Sequence, residues 1–322
     1  MVRNVVNKLT RWEMASVVLS VVLFFIILSF FTKGFNTAYN IDSLARTAAI
    51  TTIVGIGQLA VLAIGQFNLA LGSMGCCSAL LTAVLMQEYG VPIWLSVLLG
   101  ILAGIILGMT QGFLVVKTKI NPFIITLSLS NIYLGMAIAA TRSKIYNNLP
   151  QSFKYIAKVN VFRIPLLFII ALVMVIILSV LMYRTYIGRK ILATGANERS
   201  ALCAGINTGD ITILAHSMSG LFAGIAGILL STRLGSAQIS VGSDWMLVSF
   251  AAPVLGGTLM SGGKVSVAGT IFGAILMSMI TNGLVLINVN FYWFQAFLGI
   301  ILMIAFEIDR IRVTATSQKY YR

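Results

Sequence analysis

Two stretches, GQFNLALGS (65–73) and GSAQISVGS (235–243), hold the polar side chains that stand most apart from their surroundings. Gln66, Asn68 and Ser73 interrupt about 40 residues of nearly unbroken apolar sequence between Thr47 and Met86. Gln238, Ser240 and Ser243 repeat the pattern, and Asn131 and Asn282 lie in other apolar runs. Amides and hydroxyls of this kind suit hydrogen-bond exchange better than covalent chemistry. They can replace the water that a neutral polar solute sheds, without trapping it by charge. The same groups also serve as helix–helix hydrogen bonds, worth about 0.6 to 2 kcal/mol each.

Other chemistries find no residues. The acids Glu13, Asp42, Glu88, Glu198, Asp210, Asp244, Glu307 and Asp309 fall at or near the ends of apolar runs. Ion-coupled carriers and proton pumps keep an ionisable group inside a span. Only His216 sits about two turns inside a run, where a lone imidazole reads as a hydrogen-bonded packing residue. Cys76, Cys77 and Cys203 form no CxxC and no disulfide framework. GTLMSGGKVS (257–266) resembles a phosphate loop, but Gly263 stands where its lysine should be and Val265 follows Lys264. The expectation is a chain with no catalytic, metal or cofactor site that binds no ATP itself and is driven by another protein.

These residues must be positioned by membrane helices. Of the 322 residues, 59% are hydrophobic and 9% charged, with mean hydropathy +0.99. Soluble domains carry about 25% charge. The apolar runs are long and continuous, unlike the alternating strands of a barrel. Ten spans are expected, at 14–31, 43–65, 69–87, 92–116, 121–140, 163–183, 210–232, 245–259, 266–287 and 291–308. The first is read as an uncleaved span, since Phe30-Phe31 is no small-residue cleavage site. With both termini inside, 14 of the 22 lysines and arginines fall in inside segments and 8 outside. The net charge of +14 therefore points to the membrane surface and not to nucleic acid.

The two polar stretches align 170 residues apart: Gly65 with Gly235, Asn68 with Gln238, and Gly72-Ser73 with Gly242-Ser243. GILAGIIL (100–107) resembles GTIFGAIL (269–276), and TQGFLV (110–115) resembles TNGLVL (281–286). Spans 2–5 and 7–10 then form two repeats. Five spans, an odd number, separate equivalent positions, so the repeats are inverted. Paired, glycine-interrupted segments in inverted repeats point to a transporter's pathway. The expected organisation is a single transmembrane domain over 1–322. It comprises an N-terminal span and outer loop (1–42), a first repeat (43–140), an outer loop (141–163), a cytoplasmic loop (184–209), a second repeat (210–308) and a cytoplasmic tail (309–322).

Two loops carry partner signals. The outer loop holds Arg142, Lys144, Lys154 and Lys158, a basic surface that would steer an acidic partner. In the cytoplasmic loop, Asn197 can cap a short helix 198–204 and Gly205 can end it.

At these residues the sequence resembles a known family, the permease subunits of ABC importers for ribose, related sugars and autoinducer-2. GRKILATGANERSALCAGIN follows the family's coupling pattern G-x-N-x-x-A-A-x-x-x-G-I through Gly195, Asn197, Ala201, Gly205 and Ile206, with Ser200 where the first alanine is usual. SGLFAGIAGILLSTRLGSAQISVGSD and VLGGTLMSGGKVSVAGTIFGAI also follow it. GQFNLALGS resembles G-G-x-D-L-S-x-G-S but has Asn68 for Asp and Ala70 for Ser. The resemblance covers nearly the whole chain, most strongly 188–310.

It implies the ABC importer permease fold, all-α and polytopic, in a bacterial cytoplasmic (inner) membrane. It implies a second permease, as a homodimer or heterodimer, two cytosolic ATPase subunits, and an extracytoplasmic solute-binding protein. Gly195, Asn197, Glu198, Ala201, Gly205 and Ile206 would meet the ATPase, and the 141–163 loop the binding protein. The solute would be a small neutral one such as a sugar. A nucleoside or branched-chain amino acid is the alternative, and a membrane protein outside this class a further one.

Overall fold

The computed structural model describes residues 2–32 and 34–287, with single positions between 293 and 303. The expected tenth span, apart from those positions, and the tail 309–322 lie outside the described residues, as does Lys33. The described chain is helical except for one two-stranded hairpin. In order the helices are α1 (Val2–Phe31), α2 (Ala38–Leu62), α3 (Leu71–Gln87), α4 (Ile93–Thr118), α5 (Pro122–Thr141) and α6 (Gln151–Tyr155). The hairpin β1 (Asn160–Val161) and β2 (Ile164–Pro165) precedes α7 (Leu166–Arg184). There follow α8 (Tyr186–Ala196), α9 (Glu198–Cys203), α10 (Thr208–Leu234), α11 (Trp245–Leu255) and α12 (Val267–Leu286).

Six of these, α2, α4, α5, α7, α10 and α12, are long and apolar enough to cross a bilayer. Each agrees with an expected span to within five residues at either end. The expected spans 69–87 and 245–259 differ. With 17 and 11 residues, α3 and α11 rise about 26 and 16 Å, short of a hydrocarbon core of about 30 Å. Each follows a non-helical approach segment, 63–70 and 235–244. Backbone geometry explains the breaks: Gly65 (φ +72°) and Gly235 (φ +70°) turn left-handed at the ends of α2 and α10, a conformation that costs glycine little.

Two helices form the centre. In their most apolar stretches 83% of α2 and 72% of α10 is buried, against 22% of α4 and 28% each of α5 and α7. The outer helices present Leu102, Ile106, Ile132, Met136 and Ile176 outward, as lipid requires. Lipid tails are as apolar as leucine, so helices must associate through close packing. Gly104, Gly108 and Gly112 recur every fourth residue along one face of α4. A Cβ on Gly108 would overlap the His216 carbonyl, one on Gly104 would lie 2.5 Å from the Gly220 carbonyl, and one on Gly112 2.7 Å from Ile213 Cα. The seam brings α4 onto α10 backbone to backbone.

Gly108→Val should therefore destabilise the protein by about 1–3 kcal/mol or more, the usual range of overpacking. Gly135→Val, at a lipid-side position with nothing within 4 Å of the added carbon, should stay within about 0.5 kcal/mol. Thermal unfolding in detergent measures both; equal behaviour would refute the seam.

Candidate functional site

The two breaks bring the starts of α3 and α11 together. A Cβ on Gly242 would approach the Gly72 carbonyl to 2.8 Å, and one on Gly72 would overlap the Gly242 carbonyl. The aromatic ring of Trp245 packs on Gly75 one turn further along α3. Beside this crossing lies a cavity of about 190 Å³ whose polar wall is Ser73, Ser130 and Ser243, closed by Leu69, Ile239 and Met246. Ser73 Oγ donates to the Ala70 carbonyl (2.9 Å) and lies 3.4 Å from Ser130 Oγ. The wall carries hydroxyls, backbone and thioether or thiol sulfur, but no charged side chain. The start of α3 beside it adds partial positive character, while Asp244 stands at the N-cap of α11. Such a site can exchange hydrogen bonds with a polar solute.

A second cavity, about 410 Å³, lies between the end of α2 and the α8–α9 corner, lined by Gln66, Asn197, Glu198, Arg199, Thr212 and Ser261 among others. Here residues 197–206 form one capped helix, following directly on the end of α8. Asn197 Oδ1 accepts from Ser200 N (2.9 Å), so Asn197 is the N-cap of α9, as its position predicts. Gly205 (φ +78°) ends it: Gly205 N donates to Leu202 O (3.0 Å) and Ile206 N to Ala201 O (3.0 Å). That bond pair is a Schellman stop, with Ala201 and Ile206 in the positions that make its apolar contact. The asparagine, alanine, glycine and isoleucine of the pattern are thus the start and stop signals of a single helical turn. Gly195 has a separate reason. A side chain there would collide with the Ala63 carbonyl, which also accepts from Gly263 N (3.0 Å). The end of α2, the start of this corner and the 257–263 loop are therefore locked together.

A family of permease components of branched-chain amino acid transport systems matches residues 40–306. The chain belongs to this permease family. The chain is 33% identical to a ribose import permease protein of Bacillus subtilis (strain 168) over 88% of its length and 89% of that protein's. With the L-arabinose transport system permease protein of Escherichia coli (strain K12) the identity is 30%, over 94% and 92%. With the D-allose transport system permease protein of the same strain it is 29%, over 86% and 85%. No solved structure matches.

In this permease the sequence-derived residues take different places. Ser73 and Ser243 share the central cavity. Gln238 is half-buried and Ser240 exposed on the approach to α11, with the Gln238 carbonyl 3.9 Å from Cys76 Sγ. Gln66 lines the second cavity. Asn68 is fully buried and lines neither. Asn131 is exposed on α5, its amide donating to Leu127 O (3.3 Å). Asn282 exchanges two amide bonds with Asn40 (2.9 and 3.1 Å), clasping α12 to the start of α2. Ser130 and the role of α10 in holding the 65–70 break were missed; Ser130, next to Asn131 in an apolar run, was the available signal.

The 141–163 loop is an ordered structure of α6 and half of the hairpin. Tyr146 pairs with Ala237 in an isolated antiparallel bridge, tying the loop to the second break. Lys144 Nζ meets Glu88 Oε1 at 2.7 Å, and Tyr146 Oη lies 3.1 Å from the same oxygen. The Lys144 bond, then that of Tyr146, holds the Glu88 carboxyl below its usual range, while Glu88 pushes Lys144 up. The pair's contribution is complete above the ordinary carboxylate range and is lost as pH falls through the lowered value. Lys154 Nζ donates to the Asn147 carbonyl (2.9 Å). Arg142 and Lys158 are exposed.

Asn197→Ala should remove the α9 cap at a cost of about 1 kcal/mol, and Asn197→Asp should retain most of it. Hydrogen exchange at the Ser200 and Ala201 amides should rise about fivefold in the alanine variant alone. Unchanged exchange would show that packing, not the cap, holds α9.

Proposed function

We propose that this chain is the membrane-spanning permease subunit of an ATP-driven importer, and that it carries a small neutral polar solute of the sugar class. The observation that carries this reading is the uncharged, largely apolar cavity with three serine hydroxyls where two broken helices begin. The names of the similar proteins, import permeases for ribose, L-arabinose and D-allose, favour the same solute class. At about 190 Å³ the cavity is smaller than the ~300–1,000 Å³ of ordinary ligand pockets, which suits a small solute. The chain itself has no catalytic role; a separate ATPase subunit supplies the energy.

An inverted repeat underlies this site. Its support is a pattern of exchanged packing: α2 packs on α11 and α12, and α10 packs on α3 and α4. Swapping α2 with α10, α3 with α11, and α4 with α12 reproduces the same neighbours. Gly72 and Gly242, equivalent in the sequence alignment, touch each other, as residues beside a two-fold axis do. Ten spans would complete the second repeat.

The α8–α9 face is the cytoplasmic one in this reading, and both termini lie on it. The ATPase docks at Gly195, Asn197, Glu198, Ala201, Gly205 and Ile206, and the binding protein at the opposite face. Of the basic residues there, Lys144 and Lys154 already have partners, while Arg142, Lys158 and Arg163 are exposed and placed to steer an acidic surface. A second permease faces the cavity. The start of α3, which favours a carboxylate, supports an amino acid as the second reading for the solute.

Uptake by cells expressing the chain with its ATPase and binding protein tests the function. Labelled ribose or a related sugar should accumulate and leucine should not; leucine alone accumulating would move the assignment to the second reading. Ser243→Leu should cut sugar uptake at least about tenfold while leaving membrane expression intact, since it leaves a solute hydroxyl without its hydrogen bond. Uptake at the parent rate would remove Ser243 from the pathway. Arg142→Glu with Lys158→Glu should weaken binding-protein association more at low than at high salt. An affinity that stays flat across salt would remove these residues from the docking surface.

A further inference from the structure

Residues 64–69 contribute to the walls of both cavities. Leu69 lines the 190 Å³ cavity, while Ile64, Gly65 and Gln66 line the 410 Å³ cavity. The segment therefore lies between the two linings. What holds that segment is a face of α10. Thr212, His216 and Ser219 follow at spacings of four and three, so they share one side of the helix. Thr212 lines the larger cavity. One turn on, His216 Nε2 lies 3.1 Å from Gln66 Oε1. Nearly a turn further, Ser219 Oγ accepts from Asn68 Nδ2 at 2.8 Å.

His216 is fully buried and touches both sides of the seam. Its Nδ1 lies 2.8 Å from Gln111 Nε2 of α4. An amide nitrogen only donates, so Nδ1 accepts and the ring's proton sits on Nε2, aimed at Gln66 Oε1. The tautomer is thereby fixed from α4 and delivered to the break. Asn68 is tied down separately: the Gln58 amide of α2 donates to the Asn68 carbonyl (3.0 Å) and accepts from its N–H (3.2 Å). Gln66 and Phe67 are both half-buried; Gln66 is held by its N–H to the Val61 carbonyl (3.2 Å) and by the imidazole at its side chain, and Phe67 by the Phe250 ring at 5.5 Å.

We propose that His216 is a positioning residue of the transport cycle, a latch that holds Gln66-Phe67 closed between the two cavities. Opening breaks the His216–Gln66 bond and swings Gln66 and Phe67 away, while Asn68 stays with α2 and α10. The latch sits next to the α8–α9 corner, because Gly65 and Gln66 share the larger cavity with Asn197 and Glu198. Movement of that corner therefore bears directly on the bond. No proton is transferred and no charge forms on the ring. The inference rests on the importer reading for its purpose, and on the geometry alone for the latch.

The test uses full-length chain in sealed membrane vesicles. Cys76→Ser, Cys77→Ala and Cys203→Ser remove the native thiols, and Ser130→Cys places one on the wall of the smaller cavity. A membrane-impermeant sulfonated thiol reagent is presented from the α8–α9 face without nucleotide. His216→Phe should raise the labelling rate about tenfold, the scale of one lost intramembrane hydrogen bond. His216→Gln, which keeps an amide donor for Gln66, should label within about threefold of its parent. Gln66→Leu breaks the same bond from a half-buried loop position and should match His216→Phe; it decides the matter if the buried variant fails to fold. Parent-like labelling in well-expressed Gln66→Leu overturns the latch. Failure of the chain with its native sequence, expressed with its ATPase and binding protein, to take up any sugar or amino acid would instead overturn the importer reading and leave the labelling result standing.

Discussion

A helix that breaks inside a bilayer must find partners for every backbone group it frees, because no water is there to supply them. The rest of this molecule depends on meeting that requirement twice. At the first break the partners come from neighbouring helices: Gln58 of α2 satisfies the backbone of Asn68, and Asn68 Oδ1 accepts from Ala70 N at 2.9 Å. At the second they come from a loop, as Tyr146 and Ala237 exchange backbone bonds of 2.9 Å in both directions. Each break is therefore stabilised by elements on its own side. That arrangement leaves the meeting point of α3 and α11 lined by small and hydroxyl-bearing residues.

The glycine seam follows from the same constraint. Polar braces reach the break only if α10 lies close to α2 and α4, and α10 does so by setting Gly220 against Gly104 of α4 and Ser219 and Phe222 against Gly57 of α2. Gln111 and His216 lie within this seam, so the polar chain from α4 to Gln66 exists because the helices meet at backbone distance. Packing and the site are one design here: a bulky residue on the α4 seam would separate the helices and the imidazole from its amides together.

Much of this was legible in the chain. The long apolar runs gave six crossing helices within a few residues, and Asn197 and Gly205 marked the α9 ends by their capping chemistry alone. The alignment of Gly72-Ser73 with Gly242-Ser243 named residues that do share a cavity wall. The shortness of α3 and α11 was not legible, because an apolar stretch reads the same whether it is helical or extended; the glycines at 65 and 235 marked where each break begins but not where it ends. Nor could sequence say which amides face a cavity. Asn282 and Asn68 have the composition of pathway residues, yet one clasps α2 and the other is enclosed. The α8 helix was missed because Thr185, its cap, follows an arginine at a span end where an ordinary loop is expected.

Enclosure changes what the unusual residue at position 68 means. Where the family's motif carries an acid, this chain has an amide whose oxygen accepts from Ala70 N and whose nitrogen donates to Ser219. A carboxylate could keep the first bond, since it too accepts, and could accept from the Ser219 hydroxyl in place of donating to it. Both residues can therefore brace the same turn. They differ in cost, because a buried charge in the bilayer needs a compensating partner and an amide does not. Asn68 is fully buried and lines neither cavity, so its side chain bears on the break and on α10. A neutral brace removes the need for a counter-charge around residue 68, and the imidazole of His216, committed to Gln66 and Gln111, is left free of that task.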